Sequence, residues 1–110
     1  PGSGNFISSE TLEHLKEPPQ ASLRSRIDRV LHAEVLFSFG FVKPSRALKF
    51  GKDDSAFGAL GGGGSFGFAD PTMGIGAAYV PNYFDNYIGN DPRELALRNA
   101  LYACLNSGSE

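Results

Sequence analysis

Gly61, Gly62, Gly63 and Gly64 stand in an unbroken row ahead of Ser65. Backbone without side chains does chemistry of one kind: it brings bare N–H groups close to a ligand or to another stretch of chain. A free linker of this composition would behave as random coil. Here the row runs straight into Phe66, Gly67 and Phe68, which alternate as a pleated strand does, so a close approach, a tight crossing or a bulge fits better. The row lacks the Lys-Ser/Thr order of a phosphate-binding P-loop. It is no dinucleotide fingerprint either, because the glycines precede a strand instead of joining a strand to a helix.

Other residue types with chemical potential are scattered. His14 and His32 titrate in the range useful for acid–base work, but one falls on a short polar helix and the other in a charged stretch, so both read as surface histidines. Asp53 and Asp54 are adjacent carboxylates without further oxygen ligands at a recognisable spacing, which reads as a solvated turn and not a cation site. Arg24, Arg26 and Arg29 interleave with Asp28 and Glu34, the pattern of a solvated face more than of a phosphate-binding patch. The aromatics of PNYFDNY, Tyr83, Phe84 and Tyr87, read as cover for the end of a sheet beneath the last helix. Cys104 stands alone, so no intrachain disulfide forms and no thiolate cluster holds zinc; it is expected as a small buried apolar residue.

Bulk composition narrows the class. The 110 residues carry 10 Lys plus Arg against 12 Asp plus Glu, which leaves no basic field for nucleic acid. No apolar run approaches the roughly 20 residues of a membrane span, and no leader pattern opens the sequence. The expectation is a soluble chain of about one small domain, with the cytoplasm favoured, no cofactor and no metal.

The elements that must position these residues follow from pattern. Residues 1–33 form a lead-in with one helix, Ser9 to about Lys16, capped by Ser9, carrying Leu12 and Leu15 on one face and stopped by Pro18 and Pro19. Residues 34–82 hold antiparallel strands. Val35 to Val42 reads as one strand with Val35, Phe37, Phe39 and Phe41 on a buried face. Pro44 ends it, and Lys43 to Ser55 reads as a surface loop. Ser65 to Ala69 and Ile75 to Val80 pair through a turn in which Asp70 bonds backbone, Pro71 fixes φ and Gly74 supplies a left-handed residue. Residues 91–105 form the closing helix: Asp91 caps it, Pro92 opens it and Glu94 completes a capping box. Its stripe of Leu97, Ala100, Leu101, Cys104 and Leu105 is expected to face the sheet, with Arg93 and Arg98 pointing away. The fold class is therefore α+β: an antiparallel sheet of about three strands with a C-terminal helix packed on one face.

This order, with ISSETLEHL at 7–15, FSFGFVKPS at 37–45, FGALGGGGSFGFADP at 57–71, GIGAAYVPN at 74–82 and DPRELALRNALYACL at 91–105, resembles the C-terminal part of the serine β-lactamase-like family, in its class C β-lactamase and penicillin-binding-related esterase branch. The resemblance implies hydrolysis of an ester or amide through an acyl-serine. In that family a cleft-edge strand carries Lys-Thr-Gly or His-x-Gly; the matching positions here are Ala59, Leu60 and Gly61, so the glycine stays while the basic residue becomes a methyl group that can neither hold a substrate carboxylate nor move a proton. Gly62 matches the position whose backbone N–H is half of the oxyanion hole, a role that needs no side chain.

The family's nucleophile lies in Ser-x-x-Lys and its second motif is Tyr-x-Asn or an equivalent. No serine here has a lysine three positions on, and Asn82 falls one place too late after Tyr79. The resemblance thus implies the last part of such a fold, residues 1–110 as a C-terminal fragment of a β-lactamase-like domain with no catalytic residue of its own. The substrate, a small ester or amide, would need the missing N-terminal part. The alternative is a non-catalytic remnant that acts as a structural module or binds a protein partner along an exposed strand edge.

Overall fold

A computed structural model describes residues 6–18 and 27–108. Arg24 and Arg26, read as part of a solvated face, and Pro19 lie outside them. Among the described residues seven elements follow in chain order: α1 (Ser9–Lys16), β1 (Leu36–Ser38), β2 (Phe41–Lys43), β3 (Phe57–Leu60), β4 (Phe66–Asp70), β5 (Ile75–Tyr79) and α2 (Pro92–Gly108). The strands form one antiparallel sheet in the order β1-β2-β3-β4-β5. The links β1–β2, β3–β4 and β4–β5 are two to five residues long, too short for a parallel crossover; β2 and β3, joined by residues 44–56, pair antiparallel with Val42 opposite Gly58.

The sheet has five strands where three were expected, and part of the excess comes from Val35–Val42. That stretch is a hairpin, with Leu36 opposite Lys43, Phe37 opposite Val42 and Ser38 opposite Phe41. Phe39 and Gly40 make its two-residue turn at φ 51° and 83°, the left-handed conformation that tight hairpins demand of their central residues. Reversal at Gly40 breaks the period-two stripe. Phe37, Phe39 and Phe41 are exposed in place of forming core. The interior glycine was the available signal.

Contacts divide the chain into two compact units: residues 1–59 with 67–77, and residues 60–66 with 78–110. In the first, the apolar core is Val42, Leu48, Phe50, Ala56, Phe57 and Phe68; Phe41 meets Phe57 edge-on at 5.4 Å and Phe50 meets Phe68 at 5.9 Å. Lys43, expected at the start of a surface loop, ends β2 at 1% exposure. Its ammonium donates to the Leu15 and Lys16 carbonyls, 3.1 and 3.3 Å away. It thereby caps the C-terminal end of α1, whose own residues include none that is buried. Burial pushes the Lys43 pKa down, against the pull of Asp54 and Asp53. The N-cap of α1 is Ser8, whose hydroxyl accepts from the Thr11 amide at 3.1 Å, and not Ser9. The Asp70 turn forms as expected: Asp70 carboxylate oxygens accept from the Met73 and Lys52 amides, and the Gly74 amide reaches Pro71 O.

In the second unit, α2 runs three residues past its expected end. Asp91 Oδ1 accepts from the Arg93 amide at 2.9 Å, as an N-cap should. Glu94 closes no capping box; its two oxygens take Nε and Nη2 of Arg98, each at 2.9 Å. Both residues of that pair are buried, and the Arg98 guanidinium lies 5.3 Å from the centre of the Phe66 ring. The expected apolar stripe is not the buried face: Leu97, Ala100 and Cys104 are exposed, Leu101 and Leu105 half-buried. A fully paired Glu–Arg couple one turn apart, backed by an aromatic face, is buried where isolated charges would not be.

Candidate functional site

β3 delivers Ala59 and Leu60 to the start of the glycine loop; Ala59 is exposed, and Leu60 and Gly61 are half-buried. The loop Gly61–Ser65 is closed by the Gly61 amide donating to Ser65 O at 3.0 Å. Gly63 donates to Tyr87 O at 3.1 Å, and its carbonyl accepts from the Asp85 amide at 3.3 Å. Gly62 lies between these two anchored residues. It is exposed, nothing stands within 4 Å of where its Cβ would be, and its amide makes no hydrogen bond among the described residues.

The other glycines are needed for packing. Gly63 has φ 90° and Gly64 φ 111°, backbone that side chains rarely adopt. A Cβ on Gly63 would lie 2.5 Å from the Phe84 ring, and one on Gly64 would collide with Asp91 Oδ2. Arg93 completes the frame. Its Nη1 donates to Tyr83 O at 2.8 Å, its Nη2 to Gly63 O at 3.3 Å, and Nε and Nη2 grip both Asp91 oxygens at 2.6–3.2 Å. The guanidinium holds the Asp91 carboxyl below its ordinary pKa, and the carboxylate in turn raises that of Arg93. This arrangement was missed in the sequence, where Asp91 read as a cap alone and Arg93 as outward-facing. The glycines at 63 and 64 were the signal that something must pack there; nothing local identified the partner.

Tyr83 and Phe84 are exposed, in contrast to the cover beneath the last helix expected of them, and Tyr87 is half-buried; the Phe84 ring lies beside Gly63, and the Tyr83 and Tyr87 carbonyls accept from Arg93 and the Gly63 amide. The remaining candidates stand apart from the glycine loop. His14 is half-exposed, 3.3 Å from Glu17 and with its ring 5.9 Å from that of Phe39. His32 is exposed at φ 53°. Asp53 accepts from the hydroxyls of Ser55 at 2.6 Å and Thr72 at 2.7 Å. An open cleft of about 410 Å³ in the first unit is lined by Glu34, Arg46, Lys49, Lys52, Asp53 and Asp54, charges of both signs. Among the described residues no group of three His, Cys, Asp or Glu side chains is placed to hold a metal ion. No helix among them is long and apolar enough to cross a membrane.

An antiparallel five-stranded sheet with a C-terminal helix, entered at one strand through a glycine loop, resembles a fragment of the β-lactamase-like fold. Among solved structures the chain matches the crystal structure of a family VIII carboxylesterase, with a TM-score of 0.76 and 35% identity over 89% of this chain. The match takes in 25% of that carboxylesterase, so this chain spans about a quarter of its length. The likeness supports a β-lactamase-like superfamily and a partial domain. No family model and no curated protein matches the sequence.

Proposed function

We propose that residues 1–110 are the C-terminal part of a serine hydrolase of the β-lactamase-like esterase type, supplying the cleft-edge strand at Ala59, Leu60 and Gly61 and an oxyanion-binding N–H from Gly62. The observation that carries this reading is the Gly62 amide, exposed and uncommitted between two anchored neighbours at the end of β3. The likeness to a family VIII carboxylesterase supports it. In the proposed reaction an attacking serine hydroxyl, borne by polypeptide beyond these residues, adds to the ester or amide carbonyl. The developing oxyanion is met by the Gly62 N–H, a group aimed where charge appears only during reaction. Residues 1–110 alone turn over no substrate.

The test is a serine-reactive fluorophosphonate probe. This chain should stay unlabelled, and a polypeptide that adds a Ser-x-x-Lys segment ahead of it should label. Labelling of the 110-residue chain would overturn the assignment of the nucleophile to another segment.

A second reading, a non-catalytic module that binds a protein along a strand edge, is favoured by the methyl group of Ala59 and by β1, an outer strand of the sheet that carries the exposed ring of Phe37. Co-elution with a partner in size exclusion, together with an unlabelled longer polypeptide, would select it.

A further inference from the structure

Resting on the reading of Gly62 as an oxyanion donor, we infer that Asp91 and Arg93 are positioning residues for that amide, clamping the glycine loop from the start of α2. A loop with four successive glycines has little stiffness of its own. An oxyanion donor must nonetheless sit 2.7–3.1 Å from the developing charge. The required rigidity comes from outside the loop. One guanidinium bridges Gly63 O, adjacent in sequence to Gly62, to Tyr83 O, and is itself held by both oxygens of Asp91. Asp91 is 1% exposed and anchored as the N-cap of α2. Gly64 packs directly on the pair, so the loop has no room to slide over it. The planar fork of arginine meets all three partners at once, whereas the single ammonium of lysine does not.

The test uses Arg93→Lys, which keeps the charge beside Asp91, and Arg93→Gln. By NMR hydrogen exchange on the 110-residue chain, both variants should speed exchange of the Gly63 amide about tenfold or more and shift the Gly62 resonance, with the β4 amides unchanged. In a polypeptide joining this chain to a Ser-x-x-Lys segment, Arg93→Lys should lower kcat about 10- to 100-fold with KM within about twofold and an unchanged melting temperature, since removing an oxyanion donor outright costs about 10²–10³. Unaltered Gly63 exchange in Arg93→Lys, or a kcat loss matched by an equal loss of folded protein, would overturn the inference. Failure of the unsubstituted joined polypeptide to take the fluorophosphonate would instead defeat the hydrolase reading, and the exchange measurement would still decide the clamp.

Discussion

Asp53 lies in solvent, yet the Ser55 and Thr72 hydroxyls and the Ser55 amide all donate to its carboxylate. These bonds, led by the Ser55 hydroxyl, favour the ionised form and hold its pKa at about 2, below the ordinary 3.8. A carboxyl with a depressed folded value contributes stability that is full above its unfolded pKa and fades as pH falls toward the folded one. The difference in melting temperature between the native chain and Asp53→Asn should therefore be constant from pH 7 to about 5 and shrink between about 4 and 2. A difference that persists undiminished at pH 2 would remove Asp53 as its source. At this scale the sequence was legible wherever chemistry is local: the Asp70–Gly74 turn and the Asp91 cap depend on residues two to four places away. Arg98 was not legible, because a guanidinium is buried only when Glu94 and the Phe66 ring enclose it, and Phe66 is 32 positions distant in sequence.

Elements reveal how one glycine or one ion pair redirects a pattern. Phe39 holds a left-handed backbone at 66% exposure, a conformation costing an L-residue with a bulky side chain about 1–2 kcal/mol. Asparagine followed by glycine is the favoured pair for this turn. Phe39→Asn should therefore raise stability by about 0.5–1 kcal/mol after loss of the ring contact with His14, read as a higher urea midpoint at constant slope; a lower midpoint would show that the ring contact outweighs the strain. In α2 the periodic leucines invite the opposite conclusion from the structure. Leu97 is 61% exposed while Phe66, under Arg98, is 4% exposed. Leu97→Ala should shift stability by no more than about 0.5 kcal/mol, whereas Phe66→Ala should cost about 3–5 kcal/mol. Equal costs in denaturant unfolding would restore the leucine stripe as the packed face.

For the whole molecule, the balance of buried and exposed surface bears on whether this chain is complete as a folding unit. Among the described residues seven hydrophobic side chains are buried, while thirteen large hydrophobics are exposed, among them Phe37, Phe39, Phe84 and Leu97. Of the seven, only Phe66 belongs to the second unit. That unit relies on the Asp91–Arg93 and Glu94–Arg98 pairs, and buried ion pairs spend much of their attraction on desolvation. The β4–β5 hairpin and the final helix were legible in the sequence because each has a local signature, whereas the β1–β2 hairpin read as a single strand. Which faces they bury was not, since periodicity marks an apolar face without saying what covers it. A core this small must still offset the ordering entropy of about a hundred residues, of order 1–2 kcal/mol each for the backbone alone. The isolated chain should consequently unfold below the 45–65 °C typical of mesophilic domains, in a broad calorimetric transition, and in its folded state should bind a hydrophobic dye on its exposed apolar faces. If the proposed hydrolase reading holds, joining it to a Ser-x-x-Lys segment should raise the midpoint and abolish dye binding. A sharp two-state transition above about 65 °C for residues 1–110 alone would mean that the exposed faces need no cover, and the partial-domain reading would fail with it.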